Sequence, residues 1–161
     1  MLSKIFGIIV ALTLLSGIIS CSLERKEDFG IYLADSGELV LSEKHVQAYH
    51  TDDTSIELNA SGIKKWNSYM TYPDIPKLND TLFNREFVIK IEGREICRGK
   101  FWSWASSTLV SGITITETLF KLNAEHNLLW IRAMYPGAAG GLDASTSSEL
   151  ENYFEKISKL R

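Results

Sequence analysis

The residues able to do chemistry are few and widely spaced. Histidine occurs at positions 45, 50 and 126, with no i, i+4 pair and no C-x-x-C to join. A zinc site needs about four clustered nitrogen or sulfur ligands, and Cys97 is the only thiol beyond Cys21. The spacing predicts that His45, His50 and His126 are exposed loop residues and that no metal is held. Cys97 with a histidine would make a nucleophile only if its thiolate were stabilised. It falls in the middle of an expected strand, where a free cysteine behaves as a small hydrophobe. Ser103, Ser106 and Ser107 lie in FWSWASSTL, outside any G-x-S-x-G elbow. Gly137, Gly140 and Gly141 lack the Lys-Ser/Thr of a P-loop. Glu38, Glu43, Asp52 and Asp53 read as a solvated acidic surface. No catalytic residue and no cofactor are expected.

The most unusual stretch is Lys100-Phe101-Trp102-Ser103-Trp104. Strand neighbours point to opposite faces, so its three aromatic rings cannot all enter one core from one side. Burial is the first expectation for large apolar side chains. The other is an exposed tryptophan, amphipathic enough for protein recognition or lipid headgroups. Trp102, Trp104 and Tyr135 are accordingly the candidate interaction residues, and together they would line an aromatic pocket.

These residues must be held by a mixture of short strands and two helices. Residues 29–33 read as a strand, 38–41 as a second and 55–58 as another. Ser42 caps an expected helical segment reaching Tyr49. Ile63, Trp66 and Met70 form the apolar side of a helix over 60–70, capped by Asn59 or Ser61. Pro73 and Pro76 end it. Over 86–102 the alternation predicts a hairpin turning at Glu92-Gly93, with Lys90 facing Glu95, Ile89 facing Ile96 and Val88 facing Cys97. Residues 111–116 and 127–134 are two further strands, with a loop or weak helix between them over 118–126. Thr146 as cap and Glu149 three residues later predict a capping box for a last helix with Leu150, Tyr153, Phe154, Ile157 and Leu160 as its stripe. The sum is an α+β domain: an antiparallel sheet with two covering helices.

The apolar content is uneven. Residues 1–21, MLSKIFGIIVALTLLSGIISC, place one cation, Lys4, before a short apolar run. This is a secretory signal pattern, too short for a confident spanning helix of ~20 residues. Ile18-Ile19-Ser20-Cys21 resembles a lipobox, where bacterial lipoprotein signals are cut before a lipid-modified cysteine. The resemblance implies a diacylglyceryl group on the Cys21 thiol, and anchoring by two or more acyl chains is effectively permanent. Ser22 in place of an aspartate favours the outer membrane in a Gram-negative host. The expected organisation is a signal peptide over 1–20, a lipidated Cys21 with a tether to residue 28, and one domain over 29–161. The seven tether residues after the cysteine reach at most about 25 Å, which keeps the domain near the bilayer.

The 161 residues carry 17 Lys+Arg against 20 Asp+Glu, a net charge of −3. Removing the signal costs only Lys4, so the balance stays acidic and argues against nucleic acid. Two cysteines with separate fates exclude a disulfide framework.

The order of elements resembles a known family. Ser61-Gly62-Ile63-Lys64-Lys65-Trp66 opening a helix, Ile91-Glu92-Gly93-Arg94 at a hairpin, and Ser111-Gly112-Ile113-Thr114-Ile115 in a later strand are similar to the head subdomain of the first periplasmic region of SecD. The resemblance covers about residues 29–120 and implies a ferredoxin-like α+β head in the cell envelope, with no catalytic residues to carry over. Residues 101–109 depart from that pattern, and NLLWIRAMYPG is more similar to bacterial lipoproteins of this size without assigned activity. The expected function is a non-enzymatic, membrane-anchored module that binds another envelope protein or chaperones an exported chain. The alternative is a binder of a small ligand or cell-wall fragment through the aromatic pocket.

Overall fold

The computed structural model describes residues 28–70, 82–118, 121–135 and 141–161; for residues 134 and 135 the description is of the backbone. Cys21 and its lipobox lie outside the described residues. None of the described helices is long and apolar enough to cross a membrane.

Among the described residues, eight strands and two helices follow one another: β1 (Phe29–Leu33), β2 (Leu39–Ser42), β3 (Val46–His50), β4 (Ser55–Leu58), α1 (Ala60–Asn67), β5 (Glu86–Ile91), β6 (Arg94–Phe101), β7 (Val110–Ile115), β8 (Leu128–Tyr135) and α2 (Ala144–Lys156). The strands form one sheet in the order β2-β1-β5-β6-β7-β8-β4-β3. The molecule is therefore α+β, as composition and periodicity predict. The sheet is mixed, however, and not wholly antiparallel, because β6 and β7 run parallel. Parallel neighbours usually need a crossover of about a dozen residues. Here residues 102–109 return without a helix, bent by Ser103 Oγ accepting from the Ala105 amide (3.1 Å) and Ser106 Oγ from the Thr108 amide (3.2 Å).

Contacts between distant strands show that the sheet curls. Phe154 of α2 packs on Phe29 of β1 (5.0 Å between rings) and on Tyr49 of β3 (5.1 Å), strands near opposite ends of the sheet order. Trp66 of α1, fully buried, meets Phe101 of β6 edge-on at 6.0 Å. Both helices thus fill the same concave face, and one apolar cluster joins them to the sheet. The edge strands β2 and β3 are separated in the chain by a single 3-10 turn, Glu43–His45.

That turn corrects one expectation. Ser42 does begin a helical segment, but it lasts three residues before the β-branched Val46 starts β3. His45 is buried with it, its Nδ1 accepting from the Ser42 amide at 3.0 Å, so it is not an exposed loop residue. His50 lies on β3 and is partly buried, and only His126 is exposed in a loop.

The helix over 60–70 ends early, at Asn67, and Asn59 is its cap, accepting from the Ser61 and Gly62 amides. Gly62 is needed where it stands: a Cβ there would lie 2.3 Å from the His45 carbonyl oxygen. The hairpin turns at Glu92-Gly93 as predicted, with φ of 50° and 79°, the pair of positive values a type I′ turn requires. Lys90 does face Glu95, but a bulge at Ile96 shifts the rest, so Ile89 faces Cys97 and Val88 faces Arg98. In the last helix the cap is Asp143, not Thr146; its carboxylate accepts from the Ser145 and Thr146 amides. Glu149 instead pairs with Arg94 across the surface at 2.5 Å.

The C-terminal residues protect the free edge of β3. Tyr49 donates its amide to the Lys159 carbonyl and accepts from the Arg161 amide, both at 2.8 Å. Lys159 Nζ donates to the carbonyls of Glu43 and Val46.

Candidate functional site

The outward face of β3, β4 and β8 forms the wall of a cleft of about 700 Å³. Alternation along β8 sends Leu129 and Ile131 into the core and leaves Leu128 and Trp130 half-buried on the other side. Register places Leu128 beside Glu57 and Trp130 beside Ser55, so the outward residues of the two strands meet. The rest of the lining is supplied by Trp104 and by described residues of the connection from β7 to β8, among them Glu117 and Leu122. Asn67 at the end of α1 holds that connection by two bonds to the Leu122 backbone, 2.8 and 2.9 Å long.

Glu117 lines this cleft and is buried, 8% exposed. Its Oε2 accepts from the backbone amides of Thr116 and Trp130, each at 3.2 Å, and its Oε1 from the Thr116 hydroxyl at 2.7 Å. Burial pushes the carboxyl up to about 7, against those three donors and the more distant Arg132. A carboxylic acid that changes charge near neutral pH inside a cleft marks a candidate site.

Around it, Trp130 donates its indole N–H to Asp53 Oδ2 at 2.9 Å. Burial opposes the Asp53 charge, but donors from Ser55 and Trp130 and the nearby His50 hold this carboxylate below its ordinary range. The Arg132 guanidinium stands 5.7 Å from the centre of the Trp130 ring. His50 Nε2 lies 3.1 Å from Glu57 Oε2, whose carboxylate also accepts from Gln47 and pairs with Arg161 at 3.4 Å.

The predicted aromatic group does not assemble as expected. Trp104 is 55% exposed and stands at the rim of the cleft. Trp102, two residues earlier, is 8% exposed and stacks on Phe83 at 5.0 Å, away from the cleft lining. Its amide donates to Ile115 and its carbonyl accepts from the Thr118 hydroxyl, which fixes it as part of the core wall. Tyr135 closes β8 opposite Val110, and its side chain lies outside the described residues. Trp130 lines the cleft with Trp104. Its residue type was legible, but Leu128 to Ile131 is an unbroken apolar run in which the outward phase cannot be told from the inward. Glu117 had no such signal, because it sits in a polar run, TITET, and becomes buried only through tertiary packing.

Cys97 is buried against Ile89, and burial pushes its thiol up to about 12. A thiol held so far from ionising is a poor nucleophile near neutral pH. Among the described residues, no group of three or more His, Cys, Asp or Glu is close enough to hold a metal ion. The cleft offers aromatic and aliphatic walls, a buried acid and rim charges: chemistry suited to holding a ligand. Comparison of the chain with models of known families, with curated proteins and with solved structures finds no match.

Proposed function

We propose that this is a lipid-anchored protein of the bacterial cell envelope whose α+β domain binds a ligand, without chemistry, in the cleft between Trp104 and Trp130. The cleft itself carries the reading. Its volume of about 700 Å³ falls in the range typical of small-molecule sites, which combine apolar walls with a few fixed polar groups. A small ligand or a cell-wall fragment fits such a concavity better than a flat protein face does. Anchoring rests on the lipobox ending at Cys21, and the short tether would hold the cleft within a few tens of ångströms of the bilayer. Incorporation of labelled palmitate should be lost in Cys21→Ala, and retention of the label would refute the anchor. For the cleft, envelope extracts and peptidoglycan fragments should quench the tryptophan emission of the wild-type chain. Silence across them would sink the reading.

A second reading, the protein-interaction or chaperone-like module, is favoured by one observation. Among the described residues, Trp104 and Leu109, at 55% and 76% exposure, are the large hydrophobic residues most open to solvent, and both lie on the 102–109 loop. Crosslinking in cells from a photoreactive residue at position 109 would capture an envelope protein on this reading, and give only the monomer on the first.

The finer likeness to the SecD head belongs to the same proposal. In its favour are Gly62 at a close approach in the first helix, the Glu92-Gly93 turn, and Gly112 at positive φ in β7. An experimental structure whose sheet superposes on that head over fewer than its core strands would remove it.

A further inference from the structure

Resting on the reading of the cleft as a binding site, we infer that its ligand carries a primary alkylammonium group, seated against the Trp104 and Trp130 rings with an N–H directed at Glu117. The walls come first. Indole faces attract cations held within about 6 Å of the ring centre, and Trp130 already has the Arg132 guanidinium 5.7 Å from its own. Trp104 offers a second large ring in the same lining.

The carboxylate sets the class of cation. Three donors are arranged around Glu117 in the pattern that holds an ionised carboxylate. Yet no cationic side chain among the described residues forms an ion pair with it within 4.0 Å. A buried carboxylate with donors, and with only the more distant Arg132 as counter-charge, is stabilised further by a cation brought against it. An ionised carboxylate has about four lone-pair positions. Two on Oε2 are taken by the Thr116 and Trp130 amides and one on Oε1 by the Thr116 hydroxyl. One acceptor position is left, on Oε1. That suits the single N–H of an ammonium rather than the planar fork of a guanidinium, which needs both oxygens. A quaternary ammonium has no N–H to give. The aliphatic Leu122 and Leu128 in the same lining would cover an alkyl chain.

Other charges face Glu117 from each element around it. They are Arg132 on β8, His50 on β3, Glu57 on β4, and Lys121, Glu125 and His126 on the β7–β8 connection. Of these groups two are carboxylates and two are fixed cations, and the His50 imidazole is directed at Glu57, so the charge a ligand's ammonium would meet is that of Glu117 itself.

The same group occurs on free alkylamines and on lysine side chains, and calorimetry with the full-length chain in detergent micelles tests both. The probes are pentylammonium, 1-pentanol, pentylguanidinium and a blocked Gly-Lys-Gly peptide. Pentylammonium should bind at least about tenfold more tightly than pentanol at about pH 8. That preference should shrink to about twofold or less near pH 5, where Glu117 is protonated. Glu117→Gln should remove the preference at both values. A tighter peptide than pentylammonium assigns the source to a polypeptide, and the reverse to a free amine. Equal binding of pentanol and pentylammonium overturns the inference while leaving a binding cleft, as does stronger binding of pentylguanidinium. Failure of every probe to bind overturns it as well, and the extract titration then judges the cleft separately. If the Gln variant does not fold, the pH profile of the wild-type chain decides.

Discussion

The two faces of the β3–β4–β8 end differ in how they were finished. On the inner face Leu129, Ile131, Ile56 and Leu58 are fully buried and the helices close over the concavity. On the outer face the same strands present Trp130, Leu128, Glu57 and His50 to a cleft that a loop only rims. One face is apolar and filled, and the other mixes rings with charges and stays open. The polar atoms are spread over both. Among the described residues, Tyr49 Oη and the Trp66 indole nitrogen on the inner side and Ser55 Oγ on the outer are buried without a hydrogen-bond partner. Glu117, on the outer side, has three donors for a carboxylate whose charge burial disfavours. The outer face invests its hydrogen bonds in one carboxyl, the arrangement expected of a site rather than of a core.

The sharpest way to break the inner face is Phe154→Ala. That ring stacks on Tyr49, tilts against Phe29 and meets Tyr153 edge-on, so its removal opens a cavity that bridges α2, β1 and β3. Deleting a buried phenylalanine costs about 3–5 kcal/mol, and urea unfolding followed by far-UV circular dichroism should report a loss of that size. A loss under about 1 kcal/mol would mean that the two ends of the curled sheet are not joined through this ring.

Next in size is the pH response of the outer face. With its folded value near 7 against an ordinary 4.5, Glu117 stays protonated in the folded chain while the unfolded chain ionises. The folded state therefore binds more protons between these values. Stability from this group is fully present below about pH 4.5 and is lost as pH rises through about 7, by roughly 3 kcal/mol. Glu117→Gln, neutral throughout, should flatten that part of the stability–pH curve measured by denaturant melts from pH 4 to 8. An unchanged slope in the variant would show that the carboxyl is not buried as described.

These two residues also mark what could be read from sequence. The Phe154 stripe was legible in part: Leu150, Tyr153 and Phe154 recur at helical spacing within α2, whereas Ile157 is its C-cap and Leu160 lies beyond it, bridged to Tyr49; the Glu92-Gly93 turn was legible because few residue pairs accept two positive φ values. The bulge at Ile96 was not legible, since one extra residue in a strand alters no composition and no turn. The capping of α2 was ambiguous for a similar reason: Asp143 and Thr146 are both good caps, and only the tertiary position of the chain selects the first. Trp102 and Trp104 share a phase and a residue type, yet one is sealed by Phe83 and the other stands open. Which of them is the more exposed depends on chain segments distant in sequence.

A smaller effect tests whether the inner face depends on how its covering helix begins. Asp143 accepts from two amides of the first turn and from the Thr146 hydroxyl at 2.6 Å, and these bonds hold its carboxylate below the usual range. Asp143→Ala should lower the urea midpoint measurably, though by less than Phe154→Ala, and Asp143→Asn should recover most of the loss. Equal losses in both variants would attribute the effect to charge rather than to capping.

The smallest expected change in stability, and the most telling about the contrast, is at Trp104. A ring with 55% of its surface in water has given up little of its hydration on folding. Trp104→Ala should therefore shift the urea midpoint by the equivalent of no more than about 0.5 kcal/mol. The same change removes one wall of the cleft, so titrations of Trp130 emission with envelope extracts should lose most of their quenching. A residue that matters only to packing would show the opposite pattern, a clear loss of stability with quenching intact. Trp102→Phe is the companion variant. Its ring stacks on Phe83 in the core wall, and the substitution should lower stability while leaving the cleft's response in place. If the two variants instead behaved alike, the division between a filled inner face and an open outer one would not extend to the loop that joins β6 and β7.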